Sequence, residues 1–82
     1  MNKKLYVTNI NYDATEKELH EMFSEVGKVM SAKIINDRDN GRSRGFGFVE
    51  METPLDAEAG LGLSGQEFMG RTIKVVYARE KK

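Results

Sequence analysis

Two hydrophobic periods alternate along this chain, and their order leaves few folds open. Residues 4–10 (KLYVTNI) alternate apolar with polar or aromatic side chains, as a strand with two different faces does. Residues 11–14 punctuate as a turn. Thr15-Glu16-Lys17-Glu18 then reads as a capping box, with Thr15 as N-cap and Glu18 reaching back. Leu19, Met22, Phe23 and Val26 follow at helical spacing, and Gly27 is expected to close the helix in the left-handed conformation. Residues 29–35 read as a second strand, residues 37–43 as a turn with its tip at Asn40-Gly41, and residues 45–52 as a third strand. Two strands joined by a short polar loop make an antiparallel hairpin. Thr53-Pro54 starts a second helix, with Thr53 as N-cap and Pro54 at the first helical position. That helix should run over residues 55–63, short or frayed, because Gly60 and Gly62 each cost about 1 kcal/mol relative to alanine. Residues 64–71 form a loop with room for a small hairpin, and residues 72–77 form the last strand.

The order β-α-β-β-α-β folds as an α+β, ferredoxin-like sandwich: a four-stranded antiparallel sheet with two helices on one face. Helices cover only that face. The other must meet water or a partner. With 82 residues there is room for one domain, read here as residues 1–79, followed by a basic tail at 80–82.

The composition narrows the setting. The absence of cysteine excludes a disulfide framework and a thiolate metal site, and it favours a reducing compartment. Asn2, Lys3 and Lys4 are followed by an apolar stretch broken at Asn9 and Asn11, too short and too polar for a signal peptide. No apolar run approaches the length of a membrane span. The expectation is a soluble, cytoplasmic protein with no membrane contact, no cofactor and no metal. His20 is a lone histidine on the polar side of the first helix, and Asn9 is expected to make local turn hydrogen bonds.

Thirteen basic residues balance thirteen acidic ones, so bulk positive charge cannot grip a polyanion. The charges are nonetheless segregated. Glu16, Glu18, Glu21 and Glu25 crowd the first helix, Arg38, Arg42 and Arg44 cluster around the central turn, and Arg71, Lys74, Arg79, Lys81 and Lys82 gather near the end. One acidic face and one basic face would result.

Alternation assigns the strand faces. Leu5 and Val7 share one face of the first strand, Tyr6 and Thr8 the other. In the third strand Gly47, Val49 and Met51 oppose Phe46, Phe48 and Glu50. Inverting that assignment would bury Glu50, a costly placement for an unpaired carboxylate. Val49 and Met51 therefore go with the helices, and Phe46 and Phe48 project from the open face. Tyr6 joins them if the first and third strands are neighbours. Exposed rings suit nucleic acid, because every base has a π-face and stacking contributes roughly 1–3 kcal/mol per base.

Arg44-Gly45-Phe46-Gly47-Phe48-Val49-Glu50-Met51 resembles the RNP1 signature of the RNA recognition motif family, K/R-G-F/Y-G/A-F-V-x-F/Y, departing only at the last position. There Met51 replaces an aromatic on the core side, which bears on packing and hardly on ligand contact. Leu5-Tyr6-Val7-Thr8-Asn9-Ile10 resembles the family's second signature, RNP2. The resemblance covers nearly the whole chain and is greatest to small single-domain bacterial, notably cyanobacterial, members. It departs in the second helix, which looks one residue short before Ser64-Gly65.

The resemblance implies single-stranded RNA as the partner and no catalysis. It gives Tyr6 one base, Phe48 the neighbouring base, Phe46 the sugars between them and Arg44 a phosphate. Lys33, Lys74, Val76, Ala78 and Arg79 are second-rank contacts, with ordinary solvated surface as the competing reading. Arg38 and Arg42 divide evenly between RNA contact and loop solubility. Single-stranded DNA stays open, since no residue is demonstrably a reader of the 2′-hydroxyl. Two other readings stand beside this one. A protein partner could engage the helical face. An acylphosphatase-like enzyme shares the topology but needs an arginine in the first loop, where this chain has Asn11-Tyr12-Asp13-Ala14.

Overall fold

The computed structural model describes residues 3–36 and 43–78. Among these, the elements run β1 (Lys4–Thr8), α1 (Glu16–Ser24), β2 (Val29–Asn36), β3 (Ser43–Met51), α2 (Pro54–Leu61), β4 (Glu67–Phe68), β5 (Arg71–Thr72) and β6 (Lys74–Tyr77). β2, β3, β1 and β6 form one sheet in that order, with each neighbouring pair antiparallel. β4 and β5 pair separately as a small hairpin. The ferredoxin-like sandwich expected from the sequence is therefore present, with β1 and β3 side by side in the centre.

The inner layer is set by period two in the strands and by 3.6 in the helices. Leu5, Val7, Val49 and Met51 are fully buried, together with Leu19 and Phe23 of α1 and Ala57 of α2. Each large side chain so buried contributes roughly 1.5–3 kcal/mol. α1 packs on β2, and α2 lies over β1, β3 and β6. α2 comes close to the sheet because Gly60 has no side chain. A Cβ there would stand 2.6 Å from Leu5 Cδ1 and 3.2 Å from Phe23 Cδ2. The residue that weakens the helix in isolation is the one that lets it pack.

Both helices start as the sequence predicts. The Thr15 backbone N–H donates to Glu18 Oε1 at 2.9 Å, and Thr15 Oγ1 accepts from the Glu18 N–H at 3.2 Å. Thr53 caps α2 by accepting from the Asp56 N–H at 3.2 Å. Glu16 has a second use. Its Oε2 accepts from the Ile34 N–H at 3.1 Å, where the β2–β3 register shifts between Ile34 and Asn36. A bulge leaves a strand amide without its ladder partner, and here a helix carboxylate supplies one.

Four expectations need correction. Gly27 is not left-handed: the positive-φ glycines among the described residues are Gly45, Gly65 and Gly70, and α1 closes through Glu25. Gly27 is small for another reason, since a Cβ would meet the Asp56 side chain at 3.0 Å. Val26 lies past the end of α1, where the stripe has turned toward solvent, and is 37% exposed. α2 stops at Leu61 rather than 63. The last strand is divided between β5 and β6 by Ile73, which is buried in the core. Of the expected turn at residues 37–43, Ser43 opens β3 and the rest lies outside the described residues, as does the tail at 80–82.

Candidate nucleic-acid interface

The register of the sheet carries one row of side chains across all four strands of the open face. Lys33 of β2 lies opposite Phe48 of β3, Phe48 opposite Tyr6 of β1, and Tyr6 opposite Val76 of β6. The next row along β3 and β1 pairs Phe46 with Thr8, and Thr8 with Lys74. Paired residues in antiparallel strands share a face, so their side chains are neighbours. Tyr6 and Phe48 place their ring centres 5.3 Å apart with planes inclined at 38°, and Tyr6 and Phe46 are 5.6 Å apart at 60°. Such offset, tilted pairs are favoured by the ring quadrupole. All three rings are partly exposed, while Leu5, Val7, Val49 and Met51 beneath them are sealed in the core. The face assignment made from alternation holds.

Cations border the rings. Lys33 and Lys74 are exposed at the two edges. Lys4 Nζ lies 4.9 Å from the centre of the Phe48 ring, a cation–π distance. Lys4 was missed in the sequence, although period two puts it on the same face as Tyr6 and Thr8. Glu50 is exposed on this face as well. On the helical layer, Glu21 and Glu25 are exposed.

Two predicted contacts change character. Ala78 is only 4% exposed, and its N–H donates to the Lys4 carbonyl at 2.9 Å. It borders an open hollow of about 400 Å³ lined also by Tyr6, Phe48, Val76 and Tyr77. Its methyl group is packing, and the exposed contacts of that hollow come from Val76 and Tyr77. Asn9 does not serve a local turn. With φ at 62°, it sends Nδ2 to the Thr72 carbonyl at 2.6 Å and accepts from Arg71 Nη2 at 2.7 Å. It thus ties the end of β1 to β5, a long-range link that residue type alone does not signal. The Arg44 side chain, Arg38, Arg42 and Arg79 lie outside the described residues.

The first glycine of the RNP1-like segment has a defined task. Gly45 holds φ at +80°, a value that L side chains rarely adopt, and its carbonyl accepts from the Ile10 N–H at 2.8 Å. A Cβ there would press on Tyr12 Cε1 at 3.0 Å. Gly45 thereby lets Tyr12 lie against the start of the strand that carries Phe46 and Phe48.

Among the described residues there is no cluster of three or more His, Cys, Asp or Glu side chains that could hold a metal, and no helix long and apolar enough to cross a membrane.

This geometry matches known proteins closely. The sequence pattern of the RNA recognition motif family fits residues 5–74. RbpE of Nostoc is 45% identical over 78 residues, covering 94% of this chain and 79% of that protein. The chloroplast 28 kDa ribonucleoprotein of Nicotiana sylvestris is 48% identical over 79 residues, 95% of this chain, but the chain spans only 29% of its length. Among solved structures, RNA binding protein PG1 superimposes with a TM-score of 0.90 at 46% identity over 98% of each chain. The Rna15 domain with bound RNA (GU) superimposes with a TM-score of 0.86 at 28% identity, over 98% of this chain and 86% of that one. On its motifs, its sheet order and these likenesses, the chain belongs to the RNA recognition motif family.

Proposed function

We propose that this domain binds single-stranded RNA on the open face of its sheet, as a binding module without catalysis. Tyr6 stacks one base and Phe48 the next, Phe46 packs against the sugars between them, and Arg44 meets a phosphate. Lys4, Lys33 and Lys74 supply a basic rim. The observation that carries this reading is the Tyr6–Phe48 pair: two rings 5.3 Å apart, partly exposed above a fully buried layer. Family membership supports it, as does the RNA seated on the Rna15 domain. A cytoplasmic setting belongs to the same reading and rests on the cysteine-free sequence alone.

With no net positive charge, one copy of the domain should bind moderately. Stacking should dominate over phosphate contact, and sequence choice should be limited. Duplex RNA is a poor partner, because its deep, narrow groove hides base edges from a flat sheet. The test is the affinity of Tyr6→Ala and Phe48→Ala for short single strands. Each should lose about 1–3 kcal/mol, or roughly 5- to 150-fold in Kd, while remaining folded. Unchanged affinity in both variants would end the stacking model.

A further inference from the structure

Where β1 ends at Thr8, a second group of side chains gathers beyond the aromatic rows. Arg71 donates from Nε and Nη2 to Asn9 Oδ1, at 3.2 and 2.7 Å. Asn9 is itself anchored to the Thr72 carbonyl. The guanidinium carbon lies 5.9 Å from the centre of the Tyr12 ring, and Tyr12 is 60% exposed. Together with Gly45, Thr8, Phe46 and Tyr6, these residues line a hollow of about 240 Å³. The hollow shares Tyr6 and Phe46 with the stacking surface, so the two are continuous.

Three features distinguish this hollow from ordinary loop surface. Arg71 is held in place although it is exposed, and Nη1 has no hydrogen-bond partner among the described residues. Immobilising so long a side chain costs roughly 2 kcal/mol of rotamer freedom. When that freedom is given up in the free protein, a ligand need not lose it again. Beside the cation stands an exposed ring, and the pairing of a ring for a base with a guanidinium for a phosphate is the chemistry of single-strand binding. Tyr12 also lies beside Gly45, where an added Cβ would stand 3.0 Å from its Cε1, so the ring is near the start of β3.

We propose that this hollow is a subsite for one further nucleotide, reached as the strand runs past Phe46. Arg71 takes its phosphate and Tyr12 its base, and Asn9 is a positioning residue for Arg71. This rests on the RNA reading above and extends it off the sheet.

The test measures amide-shift affinities for oligouridylates of two to five nucleotides, with the wild type, Arg71→Gln and Tyr12→Ala, alongside each variant's thermal midpoint. Arg71→Gln keeps an N–H that can reach Asn9, so the link to β5 is retained. In the wild type the longer strands should bind more tightly than the dinucleotide. In each variant the ratio of the two affinities should shrink about tenfold, within the range for one lost stacked base or charged contact. The salt slope for the longest strand should fall by about 0.7 in Arg71→Gln. If the ratio stays at the wild-type value while the thermal midpoint drops, the group is only a structural latch and the proposal is overturned. If the wild type binds no oligouridylate of any length, the RNA reading fails along with it.

Discussion

Gly47 lies between the two aromatic residues of β3, and replacing it with alanine should unfold the site from beneath. A Cβ built there would fall well inside 3.0 Å of the Lys33 carbonyl oxygen and 3.1 Å from Ile34 Cα. Both are backbone atoms of the neighbouring strand, so no rotamer change relieves the contact. β2 would have to withdraw by about 1 Å, enough to stretch an N–H···O bond from about 2.9 Å beyond its useful range. Losing two ladder bonds beside the Ile34–Gly47 pair, at about 1–3 kcal/mol each, would cost roughly 2–6 kcal/mol. Alanine recovers about 0.4–1 kcal/mol by restricting the unfolded chain. The net loss of about 1–5.5 kcal/mol compares with roughly 4–12 kcal/mol expected in total for a chain of this length. At about 4–8 °C per kcal/mol, the thermal midpoint should fall by roughly 4–45 °C. Circular dichroism melting of Gly47→Ala beside Gly65→Ala reads this out. Gly65 has φ at +90° but nothing within 4 Å of its missing Cβ, so its variant bears backbone strain alone, about 1–2 kcal/mol. If Gly47→Ala melts at or above Gly65→Ala, the steric argument is refuted.

Two further outcomes can be measured, one from the structure and one from the proposed function. Thr15→Ala removes the hydroxyl that accepts from the Glu18 N–H, while the Thr15 backbone N–H keeps its bond to Glu18, and should cost about 1 kcal/mol in urea unfolding without altering RNA affinity; a loss of affinity at equal stability would contradict the separation of the helical face from the binding face. Arg44→Ala should flatten the log–log salt dependence of single-strand binding by about 0.7, the loss of one phosphate contact, and a wild-type slope would remove Arg44 from the interface.

How much of this was legible in the sequence depends on how local the cause is. The capping box needed only Thr15 and Glu18, and it formed. The aromatic face needed only period two and the cost of burying Glu50, and Tyr6, Phe46 and Phe48 emerged on it together. The glycines were harder, because their reasons lie in other elements. Gly60 read as a weak helix residue, yet its bare Cα receives Leu5 and Phe23. Gly27 read as a left-handed cap, yet it makes room for Asp56. Asn9 read as a turn residue, yet its partners stand 62 and 63 residues away. Long-range partners of this kind follow from the register and the path of the β4–β5 hairpin, which no local pattern encodes. The family signature located the three exposed rings, but it was silent on the Arg71–Tyr12 pair.

The central claim is that nucleic acid lies on the sheet and leaves the helices alone. An amide-shift titration with short single-stranded RNA, repeated with DNA of the same sequence, tests it most directly. The account predicts saturable shifts centred on Tyr6, Phe46 and Phe48, extending to Lys33, Lys74 and Val76, with α1 and α2 unmoved. Shifts confined to the helices, or none on β1 and β3 at saturating RNA, would contradict it.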